Sequence, residues 1–256
     1  MRKKVIAANW KLQKTIGEAV KFTTLLKREN FGDDAPEIIL CPVFTALSAV
    51  YDAIGDSEIK LGAQDMYWED KGAFTGEVSG VLLKDTGCEY AIIGHSERRQ
   101  LFGETDKTVN KKIQSAIGVG LTPIICVGEL LKEREAGKTN DVLEKQVRGA
   151  FAEVTPEDAA GCYIAYEPVW AIGTGKVATP EQAQEAQKFI RDLVGQLYFP
   201  GLSQEMPILY GGSVKPENAV EILRQPDVDG ALVGGASLEV ASLAGIVRAA
   251  QAQVVS

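Results

Sequence analysis

The residues that could do chemistry come directly after apolar runs of the chain. Glu167 follows the run that ends at Tyr166 and precedes Pro168, which restricts Glu167 to extended dihedral angles and so fixes where its side chain leaves the backbone. A glutamate in water has a pKa of about 4.3 and is a weak base. Partial desolvation would raise that pKa and make Glu167 a candidate general base. The alternative interpretation is a structural glutamate held in a salt bridge.

Two further side chains could stabilise the negative charge that such a base creates. Lys11 could be a fixed cation for an anionic substrate or a developing oxyanion, although a solvated surface lysine is the alternative. His95 is the only histidine of the chain, so it cannot belong to a site built from several histidines. It lies just before a predicted short helix opened by Ser96, and a helix N-terminus disfavours a charged imidazole. We therefore expect a neutral ring that donates a hydrogen bond, against the alternative of a histidine with only a structural role.

Two glycine pairs predict a site for an anion. Gly211-Gly212 follows one apolar run and Gly234-Gly235 follows the next. Without side chains, such pairs let backbone N–H groups converge on a phosphate. Each pair alone would indicate only a tight turn, whereas two pairs at the ends of consecutive runs favour a phosphate site.

The segment 169–178 predicts a lid. It is apolar and aromatic at its start and carries Gly173 and Gly175, whereas ordinary connections of this kind are shorter and more polar. A lid of this composition could close over a substrate and exclude water. Its Gly-Thr-Gly-Lys stretch lacks the full spacing of a nucleotide-binding loop, so we do not interpret it as one.

The elements that must position these residues are short apolar runs that alternate with helical stretches. The runs cover residues 5–8, 38–41, 59–63, 90–93, 123–127, 162–165, 207–210 and 231–233. Each predicts a strand buried on both faces, and the helical stretches between them have start signals at Thr15, Thr179, Lys215 and Ser237. Alternation of this kind fits a closed eight-stranded parallel (β/α)8 barrel or an open doubly wound sheet. The count of eight favours the α/β barrel, as a single domain over residues 1–256, with its active site at the carboxyl ends of the strands.

Composition narrows the class of partner. The chain has 256 residues, of which 45% are hydrophobic and 24% charged, and its net charge is −8. Such acidity argues against binding to nucleic acids or anionic membranes, and a local cation is needed to attract an anionic substrate. The four cysteines form no CxxC pair, and the first residues are too weakly apolar for a signal peptide, so we expect buried thiols and a cytoplasmic protein.

Several of these motifs together resemble the triosephosphate isomerase family, in order and over the whole chain. The matching segments are Asn9-Trp10-Lys11, Gly62-Ala63-Gln64, 72–77, 93–99, 165–175, 210–214 and 233–237.

The resemblance implies an intramolecular aldose–ketose isomerase that interconverts dihydroxyacetone phosphate and D-glyceraldehyde 3-phosphate in glycolysis and gluconeogenesis, without a metal or an organic cofactor. It implies that Glu167 moves a proton through an enediolate, which Lys11, His95 and Asn9 stabilise. The residues it implies for the phosphate are Gly173, Ser213, Gly234 and Gly235, and those behind the catalytic groups are Ser96, Glu97 and Cys126. It also implies a homodimer through the loop from Gln64 to Glu77.

Three departures from the family pattern stand out. Asp65 stands in place of the usual asparagine, Leu12-Gln13 in place of Met-Asn, and Gly80 in place of proline. If Asp65 stays ionised and unpaired near the subunit contact, we expect weaker association above neutral pH. Other interpretations are a different phosphate-binding barrel, such as a phosphoribosyl isomerase or an indole-forming synthase, and a non-catalytic barrel that only binds a phosphorylated ligand.

Overall fold

The computed structural model describes residues 2–172 and 177–251 and shows a closed barrel of eight parallel strands in chain order. The strands are β1 Val5–Asn9, β2 Glu37–Cys41, β3 Lys60–Ala63, β4 Tyr90–Ile93, β5 Thr122–Val127, β6 Tyr163–Tyr166, β7 Ile208–Tyr210 and β8 Gly230–Val233. The predicted closed barrel is therefore confirmed, and the alternative of an open doubly wound sheet is excluded. Each predicted strand end lies within one residue of the observed end, because strands covered on both faces are apolar along their whole length.

Twelve α-helices are found among the described residues. They are α1 Ile16–Leu26, α2 Leu47–Ile54, α3 Gly80–Asp85, α4 Ser96–Leu101, α5 Asp106–Gly118, α6 Leu131–Glu135, α7 Thr139–Ala150, α8 Pro156–Ala160, α9 Pro180–Leu197, α10 Pro200–Glu205, α11 Pro216–Leu223 and α12 Val240–Gln251. Thr15 and Thr179 cap α1 and α9 as predicted. The start predicted at Ser237 is wrong: this residue lies in a 3-10 helix, Gly235–Leu238, and α12 begins at Val240. In the part of the chain that is described, no helix has the length and apolar composition needed to cross a membrane.

Alternation along each strand decides which residues reach the mouth of the barrel. In β1, Val5 and Ala7 belong to the interior cluster, and in β6 the interior residue is Ala165. Because successive side chains of a strand point to opposite faces, residues two positions further on return to the interior. The period therefore places Asn9 and Glu167 on the inner side of the barrel, where their strands end.

The barrel closes where its last strand meets its first. Val5 pairs with Gly230, and a Cβ atom at Gly230 would lie 1.8 Å from the carbonyl oxygen of Val5. Glycine is therefore required at this position of the seam. Arg2 reinforces the closure through an ion pair with Asp229 (Nε to Oδ1, 2.6 Å), and the ammonium of Lys4 donates to the carbonyl of Val228 at 2.6 Å.

A buried cluster of four charges fixes α4 to α5. Lys112 donates to Asp65 (Nζ to Oδ1, 2.6 Å) and to Glu104, and Arg98 pairs with Asp65 at 3.0 Å and with Glu104 at 2.5 Å. The condition set for Asp65 in the sequence analysis is therefore not met, because its carboxylate is paired with two cations. Its effect is intramolecular: it joins the residue after β3 to the helix that follows His95.

We expect Glu104→Gln to lower the free energy of unfolding by about 3 kcal/mol, because it leaves the buried Lys112 and the partly buried Arg98 with one carboxylate between them. Asp65→Asn is the matched control and should lower the free energy of unfolding by a smaller amount. Burial raises the pKa of Asp65 despite the attraction of Lys112, so its charge is costly to keep, whereas hydrogen bonds and charge from Lys112 and Arg98 outweigh burial and lower the pKa of Glu104.

The pH dependence follows from the sign of the Glu104 shift. Its contribution is present above its unfolded pKa of about 4.3 and is lost as the pH falls through the lowered folded value. Urea unfolding of the wild type and both variants at pH 7, at pH 4 and at about pH 3 checks this. If both variants lost the same free energy of unfolding, this would contradict the larger contribution assigned to Glu104.

Candidate active site

The carboxyl end of the barrel opens into a cavity of about 770 Å³. Its walls contain seven of the residues predicted to act on substrate, namely Asn9, Lys11, His95, Glu167, Ser213, Gly234 and Gly235. The eighth, Gly173, lies outside the described residues, as does most of the glycine-containing part of the predicted lid. Five different strand ends thus contribute to one cavity.

Glu167 is almost fully buried, with 2% of its surface exposed, and its carboxylate has three donors. The N–H and the hydroxyl of Ser96 donate to Oε2 and Oε1 at 2.8 and 3.0 Å, and Nε2 of His95 lies 3.0 Å from Oε1. Burial by itself raises the pKa of Glu167, but His95 and the two bonds from Ser96 outweigh it and lower the pKa. The raised pKa expected from desolvation is therefore wrong for this arrangement, because the carboxylate is desolvated but well supplied with hydrogen bonds.

His95 caps α4 with its own ring. The N–H of Glu97 donates to Nδ1 at 3.2 Å, which leaves Nε2 to carry the hydrogen that faces Glu167. Burial favours the uncharged ring, whereas the carboxylates of Glu167 and Glu97 raise the pKa of His95 above its usual value. A second proton would have to sit on Nδ1, where it would displace the bond from Glu97, so we assign the neutral ring that the sequence predicts.

Lys11 lies at the mouth in a strained backbone conformation. Its φ is +53°, in the left-handed region that residues other than glycine rarely adopt. Oδ1 of Asn9 accepts from the N–H of Lys11 at 3.0 Å, and the side chain of Gln64 donates to the Lys11 carbonyl at 2.9 Å. The ammonium pairs with Glu97 Oε1 at 2.5 Å and is about one third exposed. Strain at a residue held by two neighbours indicates that its position matters for function.

Glycines at the mouth make room for the charged side chains. A Cβ atom at Gly211 would lie 2.9 Å from Cγ of Glu167, and one at Gly234 would lie 3.2 Å from Cε of Lys11. A Cβ atom at Gly235, which lines the cavity, would meet no other atom within 4 Å. The hydroxyl of Ser213 donates to the carbonyl of Ala171 at 2.9 Å, which ties the turn after β7 to the start of the predicted lid.

We expect Gly211→Ala to lower kcat by about 10²-fold, because the new methyl group would displace Glu167 by a fraction of an ångström to an ångström. Gly17→Ala is the control, since Gly17 lies in α1 and a Cβ atom there meets nothing within 4 Å. Steady-state kinetics of both variants test this. Unchanged kcat in Gly211→Ala would show that Glu167 does not need this space.

Three residues near the site bear on its structure, and two of them were missed by sequence reasoning. Glu129 is fully buried and accepts hydrogen bonds from Tyr166, Trp170 and Arg134 at 3.1, 2.9 and 3.2 Å, next to the start of the predicted lid. Glu129 and Gln64 are the two residues that were missed. Each comes shortly after a buried strand, β5 or β3, and this position is the sequence signal that could have identified them. Cys126, which was predicted to support the site, lies beside Glu167. Burial and that carboxylate raise the thiol's pKa well above its usual value, so it stays protonated.

Within residues 2–172 and 177–251, no group of three His, Cys, Asp or Glu side chains is arranged to hold a metal ion.

Comparison with known proteins agrees with this geometry. The triosephosphate isomerase family model matches residues 4–250. Similar proteins include the triosephosphate isomerases of Trichlorobacter lovleyi, 56% identical over 248 residues, and of Endomicrobium trichonymphae, 53% identical over 248 residues; each alignment covers 97% of this chain and 99% of the relative. The triosephosphate isomerase of Chloroherpeton thalassium is 50% identical over 253 residues, which are 98% of this chain and 100% of the relative.

Proposed function

The chain belongs to the triosephosphate isomerase family and interconverts dihydroxyacetone phosphate and D-glyceraldehyde 3-phosphate, and we propose that Glu167 is the base of this reaction. The observation that carries the proposal is the placement of one buried carboxylate, one neutral imidazole and one ammonium in the walls of a single cavity.

The proposed reaction moves one proton between neighbouring carbon atoms. Glu167 removes a proton from the carbon beside the substrate carbonyl, which leaves an enediolate, and returns the proton to the adjacent carbon. The hydroxyl proton of the substrate moves from one enediolate oxygen to the other, so that the former carbonyl becomes the hydroxyl group of the product. Nε2–H of His95 and the ammonium of Lys11 donate to the oxygen atoms on which charge develops, and Asn9 helps to fix Lys11. A proton on carbon is far less acidic than a carboxylic acid, so these donors must supply much of the stabilisation.

The three hydrogen bonds on Glu167 have a consequence for this step. In the arrangement described here they stabilise the carboxylate and make it a weak base. To reach a carbon atom of the substrate, the carboxylate has to give up the bonds from Ser96 and His95. Burial would then no longer be offset, and the basicity of Glu167 would rise at the moment when the proton is taken.

The phosphate of the substrate is assigned to the turns after β7 and β8. Ser213, Gly234 and Gly235 line the cavity, and Gly235 leaves open space in which an anion could approach the main chain. Lys11 passes close to Gly234, so one cation lies near both the reacting oxygen atoms and the phosphate. Gly173 completes the proposed set of phosphate-binding residues.

Isomerisation in deuterium oxide tests the proposal. A base that exchanges its proton with solvent will place deuterium on the carbon next to the carbonyl, and NMR of the glyceraldehyde 3-phosphate formed will detect it. The labelled product should form in the wild type and be lost in Glu167→Gln. Isomerisation by wild type without any deuterium incorporation, or by the variant at a normal rate, would contradict the role given to Glu167.

We further propose a cytoplasmic homodimer. In the loop from Gln64 to Glu77, Tyr67 stacks on Trp68 and Phe74 with centroid distances of 4.1 and 4.9 Å, and Phe74 is still 40% exposed. A groove of about 730 Å³ beside Lys11 could receive this loop from a second copy. The exposed Leu12 and Phe102 at this groove, 92% and 67% accessible, supply the apolar surface that such a contact requires.

The four cysteines are buried and unpaired, as expected in a reducing compartment.

Sedimentation velocity tests the dimer. Phe74→Asp should dissociate the dimer, whereas Phe199→Asp, at an exposed aromatic residue before α10 and outside the predicted contact loop, should not. A wild type that sediments as a monomer at micromolar concentration would contradict the proposal.

A further inference from the structure

Lys14 lies in the connection between β1 and α1 and has an unusual environment. Its φ is +71°, in the left-handed region, so its backbone is strained as that of Lys11 is. The ammonium lies over the ring of Phe22 at 4.6 Å from its centroid and at 5.4 Å from that of Trp10. The same ammonium donates to the carbonyl oxygen of Leu238 at 2.8 Å.

The bond to Leu238 joins two loops that carry parts of the proposed site. Leu238 ends the 3-10 helix that begins at Gly235, and the hydroxyl of Ser237 donates to the carbonyl of Gly234 at 2.7 Å. The segment from Gly234 to Leu238 is therefore internally fixed, and Lys14 holds its far end. At its near end, Gly234 lies against the side chain of Lys11. The β1 loop and the β8 loop are thus in contact at two points, on either side of the proposed phosphate-binding amides.

We propose that Lys14 is a positioning residue for phosphate binding, which holds the amides of Gly234 and Gly235 at a fixed distance from the ammonium of Lys11. This inference rests on the proposed function, since it concerns the same phosphate subsite. Lys14 does not belong to the described residues that line the substrate cavity, so it acts through Leu238 and not by contact with the ligand.

The two aromatic rings explain why a lysine can hold this position. A cation over aromatic faces is attracted by the ring electrons, and the aliphatic stem packs on the same apolar surface. Burial lowers the pKa of Lys14, although Glu239 and Glu18 oppose this shift. The contacts with the two rings thus hold the ammonium of Lys14 in place where it donates to the Leu238 carbonyl. A mobile surface lysine would lack these contacts.

The test compares variants that separate the hydrogen bond from the packing. Lys14→Met keeps an aliphatic stem on the rings but removes the donor, Lys14→Arg restores a donor, and Phe22→Leu weakens the packing but leaves the donor in place. For each we would measure KM and kcat with glyceraldehyde 3-phosphate. The dissociation constant of inorganic phosphate would be measured by calorimetric titration without turnover, and stability by urea unfolding.

We expect Lys14→Met to raise both KM and the dissociation constant of inorganic phosphate by about three- to tenfold, the factor that corresponds to one hydrogen bond. Its kcat should change less than twofold, and Lys14→Arg should recover most of the affinity. Phe22→Leu should lose stability but weaken phosphate binding less than Lys14→Met, because the donor and the ring of Trp10 remain.

Unchanged phosphate affinity in Lys14→Met, with or without a loss of stability, would overturn the proposal. If Lys14→Met does not fold, the same titrations on Lys14→Gln decide the question. Because phosphate binding is measured without catalysis, absence of isomerase activity in the wild type would refute the proposed function and leave this comparison valid.

Discussion

Replacement of Glu167 by glutamine is expected to lower kcat by about 10³- to 10⁴-fold, the usual contribution of a well-placed general base. Glutamine retains an oxygen that can accept from the N–H of Ser96, and it has nearly the same volume, so the buried site should stay folded. The loss would then be chemical, because an amide cannot take a proton from carbon. A coupled assay with glyceraldehyde 3-phosphate measures the rate, and circular dichroism with thermal unfolding verifies the fold.

Glu167→Asp is the matched variant for this experiment. It keeps the carboxylate but withdraws it by one methylene group, so we expect an intermediate loss that depends on distance. If Glu167→Gln retained near-normal turnover, another residue of the cavity would have to be the base. If both variants lost activity equally, the position of the carboxylate would matter as much as its chemistry.

Lys11→Gly should lower kcat/KM by at least about 10²- to 10³-fold, the loss seen when a preorganised donor to a developing oxyanion is removed. The same change should leave the protein as stable as before or more stable, by about 1 kcal/mol. The reason is the backbone: Lys11 has φ +53°, a conformation that costs other residues free energy and that glycine adopts freely. The exposed pair with Glu97 contributes little to stability in comparison.

Two controls separate charge from strain. Lys11→Met removes the charge but keeps the strained backbone, so it should be as inactive as Lys11→Gly and less stable. Glu153→Gly relieves a similar strain, φ +60°, at an exposed position away from the cavity, and should raise stability without a change in activity. Activity of Lys11→Met within tenfold of the wild type would refute the role of the ammonium.

The sequence predicted those parts of the structure that depend on neighbours in the chain. Strands covered on both faces are apolar throughout, and a residue such as Glu167 at the end of one is conspicuous. Contacts between distant segments were not accessible in this way. The donors from Ser96 to Glu167 are 71 positions away, and Lys112, one of the two cations that pair with Asp65, is 47 positions away. The pKa of Glu167 and the pairing of Asp65 both depend on such contacts. For that reason the raised pKa expected for Glu167 was wrong, and the unpaired state considered for Asp65 is not found.

Glu129 illustrates a different limit. Its position after β5 carries the same signal as that of Glu167, but nothing in the local sequence reveals that Tyr166, Trp170 and Arg134 surround it. Two carboxylates with the same local pattern thus have different environments. Both side chains are buried, but of the two only Glu167 lines the cavity. This difference can be seen only in the folded barrel.

The seam between β1 and β8 has a consequence for how this protein is made. Asn9 and Lys11 leave the ribosome early, whereas Gly234 and Gly235 are synthesised near the end, and the pairing of β1 with β8 brings the two groups together. A nascent chain without its last strand would therefore be inactive, and it would expose two open sheet edges that invite aggregation. Recovery of enzymatic activity during refolding should accordingly report closure of the barrel, which joins strands that are far apart along the chain.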